Sequence, residues 1–222
     1  MIFMQEAHVP SERRLYCISK RTFDIIASAI GLILVSPLLV VLYTVVKLDS
    51  PGPFFFRQAR MGRFGKSFHI FKIRTMVTGA QQMADSSGRI TSYKDRRITR
   101  IGRFLRKSRI DELPQLYNVF RGDMSLVGPR PEVSEYQTVN PELWKVILSV
   151  RPGITDTTAL EYINEETLLR NAENAEELYR TQILPKKQQL YLEYIKNRTF
   201  RGDIGIIVKT ILSLTKQQKI KS

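Results

Sequence analysis

A chain of 222 residues is long enough for one domain with a real core plus an anchor, and too short for two full domains. The formal net charge of +14 requires an anionic partner, whether nucleic acid, a membrane surface or a phosphorylated substrate. A lone cysteine, Cys17, excludes an intrachain disulfide and a thiolate cluster, and with only His8 and His69 an imidazole-rich zinc site is disfavoured, so any catalysis must run on carboxylates, Lys, Arg, hydroxyls and a hard cation.

From Phe23 to Val46 the chain is apolar except for Asp24 and a few hydroxyls. As a straight helix this span measures about 36 Å, enough for a hydrocarbon core of about 30 Å. It starts too far into the chain, and is too long, for a cleavable signal. Arg13, Arg14, Lys20 and Arg21 precede it, while Lys47, Arg57, Arg60, Arg63 and Lys66 follow. Positive charge marks the cytoplasmic flank, and here both flanks carry it, so a segment that enters and leaves by one face is expected. The Ser36-Pro37 pair supplies the break. Pro37 has no N–H for the carbonyl of Ile33, and the Ser36 hydroxyl can bond a carbonyl one turn back. A kinked single crossing and a buried core helix are the competing readings.

Pro51, Gly52 and Pro53 stop this helix, and Phe54, Phe55 and Phe56 interleaved with Arg57, Arg60 and Arg63 suit a membrane interface, or alternatively a nucleic-acid patch. "SFHIFKIRTM" alternates as a strand, with Lys72 and Arg74 on one face, and Gly62 and Gly65 before it predict a hairpin. Residues 78 to 95 are polar and predict a loop, either near a binding site or a plain connector. The run "DRRITRIGRFLRKSRIDELPQLYNVFRG" is helical in pattern, and its arginines and lysines predict a bound anion.

Asp111 and Glu112 stand inside this basic field, just before Pro114 at an expected helix start. One reading is structural, since Ser108-x-x-Asp111 resembles a capping box. The other is chemical: a helix N-terminus and nearby arginines keep Asp111 ionised and nucleophilic while the pair flanks a phosphate. Met124 to Val127 predicts a short strand, after which Gly128-Pro129-Arg130-Pro131 presents a rigid guanidinium suited to a phosphate, or is an ordinary Pro-rich turn. Glu161 to Gln189 is expected to form surface helices without chemistry. Ile206, Ile207, Thr210, Ile211 and Leu214 share a stripe that suits either an interfacial helix or one closing the core.

Together "KRTFDIIASAIGLILVSPLL", the segment 49–76, the run "DRRITRIGRFLRKSRIDELPQLYNVFRGDMSLVGPRPE" and "RPGIT" resemble the bacterial sugar transferase family, the monotopic polyprenyl-phosphate phosphoglycosyl transferases. The resemblance implies an α+β, mainly helical fold: a cytoplasmic segment 1–20, a re-entrant membrane helix 21–48 broken at Ser36-Pro37, and a cytoplasmic catalytic domain 49–222 with interfacial helices and a short β hairpin. It implies residence at the cytoplasmic face of a bacterial inner membrane, with a nucleotide sugar, polyprenyl phosphate and an anionic bilayer as partners and nucleic acid not expected. It also implies a catalytic dyad of Asp111 and Glu112 that holds Mg²⁺, with substrate phosphates on Arg130 and Arg106 and, less directly, Lys72 and Arg74. A basic, membrane-anchored protein that binds nucleic acid or lipid without catalysis is the alternative. Many members continue "PGITG", whereas Asp156 occupies that last position here, and the choice of sugar is not legible.

Overall fold

The computed structural model describes residues 11–80, 95–162, 165–170, 172 and 174–220. Most of the predicted loop at 78–95 lies outside them. The chain is mainly helical around a short hairpin, in keeping with the coarse α+β expectation.

Helix α1, Ser11–Asp49, takes in the whole apolar run and begins before the expected boundary at residue 21. It passes through Pro37, where Ser36 Oγ donates to the Ile33 carbonyl at 2.8 Å and supplies the bond that the proline cannot. Packing alternates at helical spacing. Asp24, Ser28, Leu42 and Val46 are buried, while Ile26, Ile33, Leu34, Val40 and Val41 on other faces are more than half exposed. Both arms touch the domain, whereas Ser36, Pro37 and Leu38 are exposed. The apolar helix is therefore held near its two ends and is barest at its proline.

The first arm is fixed by polar groups. Tyr16 Oη and Lys20 Nζ donate to Asp203 Oδ2 at 2.9 and 2.6 Å, and Arg21 donates to the carbonyls of Val119 and Phe120. The second arm ends with Leu42 and Val46 against Phe54, Ile73 and Leu105.

Strands β1, Phe55–Met61, and β2, Ser67–Ile73, pair antiparallel from Phe55 opposite Ile73 to Met61 opposite Ser67, the hairpin that the glycines predict. Helix α2, Arg100–Lys107, is capped by Thr99 and by the Asp49 carboxylate, which accepts from the Ile101 N–H. The dyad occupies a single 3-10 turn, Ile110–Glu112, and helix α3, Gln115–Arg121, follows Pro114. Strand β3, Ser125–Val127, comes next, then helix α4, Pro141–Ile147, and strand β4, Gly153–Thr155, which pairs parallel to β3. Here the glycines matter. A Cβ on Gly128 would stand 2.5 Å from the Arg151 carbonyl oxygen, and one on Gly153 would stand 2.1 Å from the Gly128 nitrogen.

Short helices α5, Thr157–Glu161, α6, Glu165–Arg170, and α7, Ala175–Leu178, lead through a π-helical turn at Tyr179–Ile183 into α8, Leu184–Asn197. Asp156, the residue that departs from "PGITG", caps α5 by accepting from the Ala159 N–H at 2.7 Å. This region corrects one expectation. Tyr179, Ile183, Leu184 and Tyr191 are buried against Met61, Trp144 and Ile147 in the largest apolar cluster, so the tail builds core rather than surface. Its Lys and Gln residues disguised it: Lys187 is buried with its ammonium paired to Glu165, and buried Gln188 bonds Asn140 and the Val139 carbonyl. Helix α9, Phe200–Ile220, packs onto the domain along part of its length. Asp203 is buried and Thr210 bonds Thr155, while Val208, Ile211 and Leu212 face outward.

Candidate active site

Three elements converge on the dyad: the end of β2, the turn before α3, and the Pro-rich segment after β3. Glu112 Oε1 accepts from Lys72 Nζ at 2.8 Å and from Arg130 Nη2 at 2.9 Å. Arg109 Nη1 lies 3.8 Å from the other oxygen, Oε2. The acid is buried, and burial alone would raise its pKa; Lys72, Arg130 and Arg109 outweigh it and hold the carboxyl well below the usual range. Glu112 in turn raises the pKa of Arg130.

Asp111 is also buried, and its Oδ1 has no hydrogen-bond partner among the described residues. The expected direction of its titration is reversed. Burial first, then the charge of Glu112, pushes the carboxyl up to about 6, against the pull of Lys72, Arg109 and Arg106. At pH 7 such a group is still about nine-tenths ionised, and its basicity makes it a stronger nucleophile than an ordinary aspartate. The capping-box reading of Ser108 is overturned: Ser108 ends α2, and its hydroxyl donates to the Phe104 and Leu105 carbonyls.

The phosphate candidates divide. Lys72 and Arg130 meet at Glu112, and half-buried Arg106 acts on Asp111 by its charge. Arg74 is directed elsewhere, onto the Pro53 and Ser50 carbonyls, where it fastens the link between α1 and β1. Ser36 and Pro37 belong to the exposed middle of α1 and play no part in the site.

The oxygen set suits a hard cation bound jointly with a substrate. Glu112 Oε1 is occupied by two positive groups, which leaves Glu112 Oε2 and the unpartnered Asp111 Oδ1. Magnesium at a phosphate takes one or two carboxylates and completes its shell with water and phosphate oxygens. Among the described residues there is no group of three or more His, Cys, Asp or Glu that would hold a metal unaided.

Some positioning residues escaped the sequence reading. Asn118 is fully buried in α3, where its Oδ1 accepts from the Phe71 N–H at 3.1 Å and its Nδ2 donates to the His69 carbonyl at 2.8 Å. It takes the place of a neighbouring strand and thereby fixes the β2 backbone beside Lys72. An amide among the apolar residues of "LYNVF" was the available signal. Asp24, conspicuous in an apolar run, accepts from the Leu126 N–H of β3 at 3.0 Å. Glu132 steadies the segment carrying Arg130, since its Oε1 accepts from Tyr179 Oη at 2.8 Å and its carbonyl accepts from the Met61 N–H.

The sequence profile of the bacterial sugar transferase family matches residues 15–217. The chain is 38% identical over 200 residues to an undecaprenyl-phosphate glucose phosphotransferase of Komagataeibacter xylinus, covering 87% of this chain and 35% of that one. It is 36% identical over 211 residues to a UDP-glucose:undecaprenyl-phosphate glucose-1-phosphate transferase of Caulobacter vibrioides, covering 92% and 73%. It is 32% identical over 205 residues to the exopolysaccharide production protein ExoY of Rhizobium meliloti, covering 87% and 84%. The chain thus spans about a third of the first relative and most of the other two. With the profile running from α1 through the dyad into α9, the chain belongs to the bacterial sugar transferase family.

Proposed function

We propose that the protein moves a sugar 1-phosphate from a nucleoside-diphosphate sugar, expected to be a UDP-sugar, onto a membrane polyprenyl phosphate, expected to be undecaprenyl phosphate. The observation that carries this reading is the dyad: a buried, basic Asp111 beside a Glu112 held ionised by Lys72 and Arg130. An Asp111 oxygen attacks the sugar-bearing phosphorus and forms an O–P bond as the bond to the nucleoside monophosphate breaks, releasing UMP. An oxygen of the polyprenyl phosphate then attacks the same phosphorus, freeing the Asp111 carboxylate and giving polyprenyl-diphosphate sugar. Leaving group and nucleophile are both phosphate oxygens, so neither step needs an imidazole base, in accord with the scarcity of histidine. Glu112 and Asp111 would hold Mg²⁺, which would neutralise phosphate charge. Lys72 and Arg130 keep Glu112 ionised and in place.

The contacts of α1 support a membrane placement with both ends on one side. Tyr16, Lys20 and Arg21 near one end, and Asp49 and Leu42 near the other, bond or pack onto one catalytic body. A crossing helix would separate these ends by about 30 Å of hydrocarbon. We place both ends at the cytoplasmic face of the bacterial inner membrane, with the exposed apolar residues around Pro37 entering the lipid.

Membranes carrying the protein, given polyprenyl phosphate and a panel of nucleotide sugars, should release nucleoside monophosphate with one donor class. Release from no donor, alongside tight salt-sensitive binding of oligonucleotide, would favour a non-catalytic binder.

A further inference from the structure

Arg109 stands where its own backbone is poorly suited to it. Helix α2 ends at Ser108, and Arg109 follows with φ 58° and ψ 13°, the left-handed position after a helix that glycine or asparagine normally fills. Side chains resist this geometry, so an arginine here calls for a reason outside the backbone. The next feature is its surroundings. Lys72 and Arg130 both bond Glu112 Oε1, whereas the Arg109 guanidinium makes no hydrogen bond to another described residue and lies 3.8 Å from Glu112 Oε2, beyond hydrogen-bond reach. Its side chain keeps 50% of its exposure, against 21% for Lys72 and 34% for Arg130. It is also immediately upstream of the turn that carries Asp111.

We propose that Arg109 is a substrate-binding residue that receives a phosphate group at the open side of the dyad. Its planar fork suits two phosphate oxygens, and one of its nitrogens already stands 3.8 Å from Glu112 Oε2. The phosphate can belong to the donor diphosphate or to the lipid acceptor, which carry the same chemistry. This assignment rests on the transferase reading above.

The test compares full-length wild type with Arg109→Gln, Arg109→Lys and Arg109→Gly, assayed above pH 7 so that Asp111 stays ionised. Wild-type turnover is measured first, and its absence with every donor would refute the transferase reading itself. Given turnover, Arg109→Gln should raise KM for one substrate by about 10- to 100-fold with kcat changed far less. Arg109→Lys should recover part of the loss. A rise confined to the nucleotide sugar assigns the donor diphosphate, and one confined to the polyprenyl phosphate assigns the lipid phosphate. Arg109→Gly should show the same KM rise with a melting temperature equal to or above that of wild type, which separates lost contact from lost folding. Unchanged KM for both substrates in Arg109→Gln, or a fall in kcat alone, would overturn the proposal.

Discussion

At the residue scale the two acids of the dyad do opposite things, because their neighbours differ. Glu112 is surrounded by cations and stays charged, while Asp111 is buried with one oxygen unpartnered among the described residues and resists charging. Catalysis that needs the Asp111 carboxylate should therefore rise with pH through about 6 and level off above it, which a pH profile of donor cleavage measures. The sign for stability is opposite. The folded-state pKa of Asp111 lies above its ordinary 3.8, so its favourable contribution is complete below that value and lost as pH rises through about 6. Asp111→Asn should thus fold at least as well as wild type at pH 7, by up to about 2–3 kcal/mol in thermal unfolding, while losing turnover. Glu112 has the reverse linkage, stabilising above about 4.5 and losing that contribution as pH falls through its lowered folded value. Glu112→Gln would leave Lys72 and Arg130 uncompensated. The expected loss is about 1–3 kcal/mol, moderated because the Arg130 side chain retains 34% of its exposure to screening water.

At the scale of elements the site depends on side chains that stand in for backbone. Asn118 closes the exposed edge of β2, and Asp24 does the same for β3. Asn118→Ala would orphan the Phe71 N–H and the His69 carbonyl, so unfolding in detergent should show a loss of about 2–4 kcal/mol. Asn118→Asp should lose at least as much, since its second carboxylate oxygen would face the His69 carbonyl inside a buried site. The hairpin, the short strand before Gly128 and the acids ahead of α3 were legible because alternation, glycine turns and Pro114 act locally. The role of Ser108 was not, because the chain turns left-handed at Arg109 and ends α2 before the acids. Nor could alternation reveal that Arg74 bonds carbonyls far back in the chain, or that a tail rich in Glu, Leu and Tyr forms core. Those outcomes depend on contacts between distant segments.

At the scale of the whole molecule, one helix is long and apolar enough to enter a membrane, and its proline lies where the domain leaves it bare. The Ser36 hydroxyl bonds the Ile33 carbonyl that Pro37 leaves open. Replacing Ser36 and Pro37 with Ala and Leu restores the backbone bond and favours a straight span. Single cysteines near Tyr16 and near Ser67, in a Cys17→Ser background, should both resist an impermeant thiol reagent in intact cells. In the Ser36/Pro37 double variant the site near Tyr16 should become labelled and activity should fall. Unchanged labelling and rate there would assign the topology to flank charge alone.

If Asp111 carries the sugar phosphate between the two substrates, intact-mass spectrometry after incubation with nucleotide sugar in the absence of polyprenyl phosphate should catch it in transit. Wild type should gain the mass of one phosphosugar, mapped to Asp111 and lost on adding polyprenyl phosphate, and Asp111→Asn should gain none. An unmodified wild-type protein that still forms polyprenyl-diphosphate sugar once both substrates are present would contradict that role for Asp111.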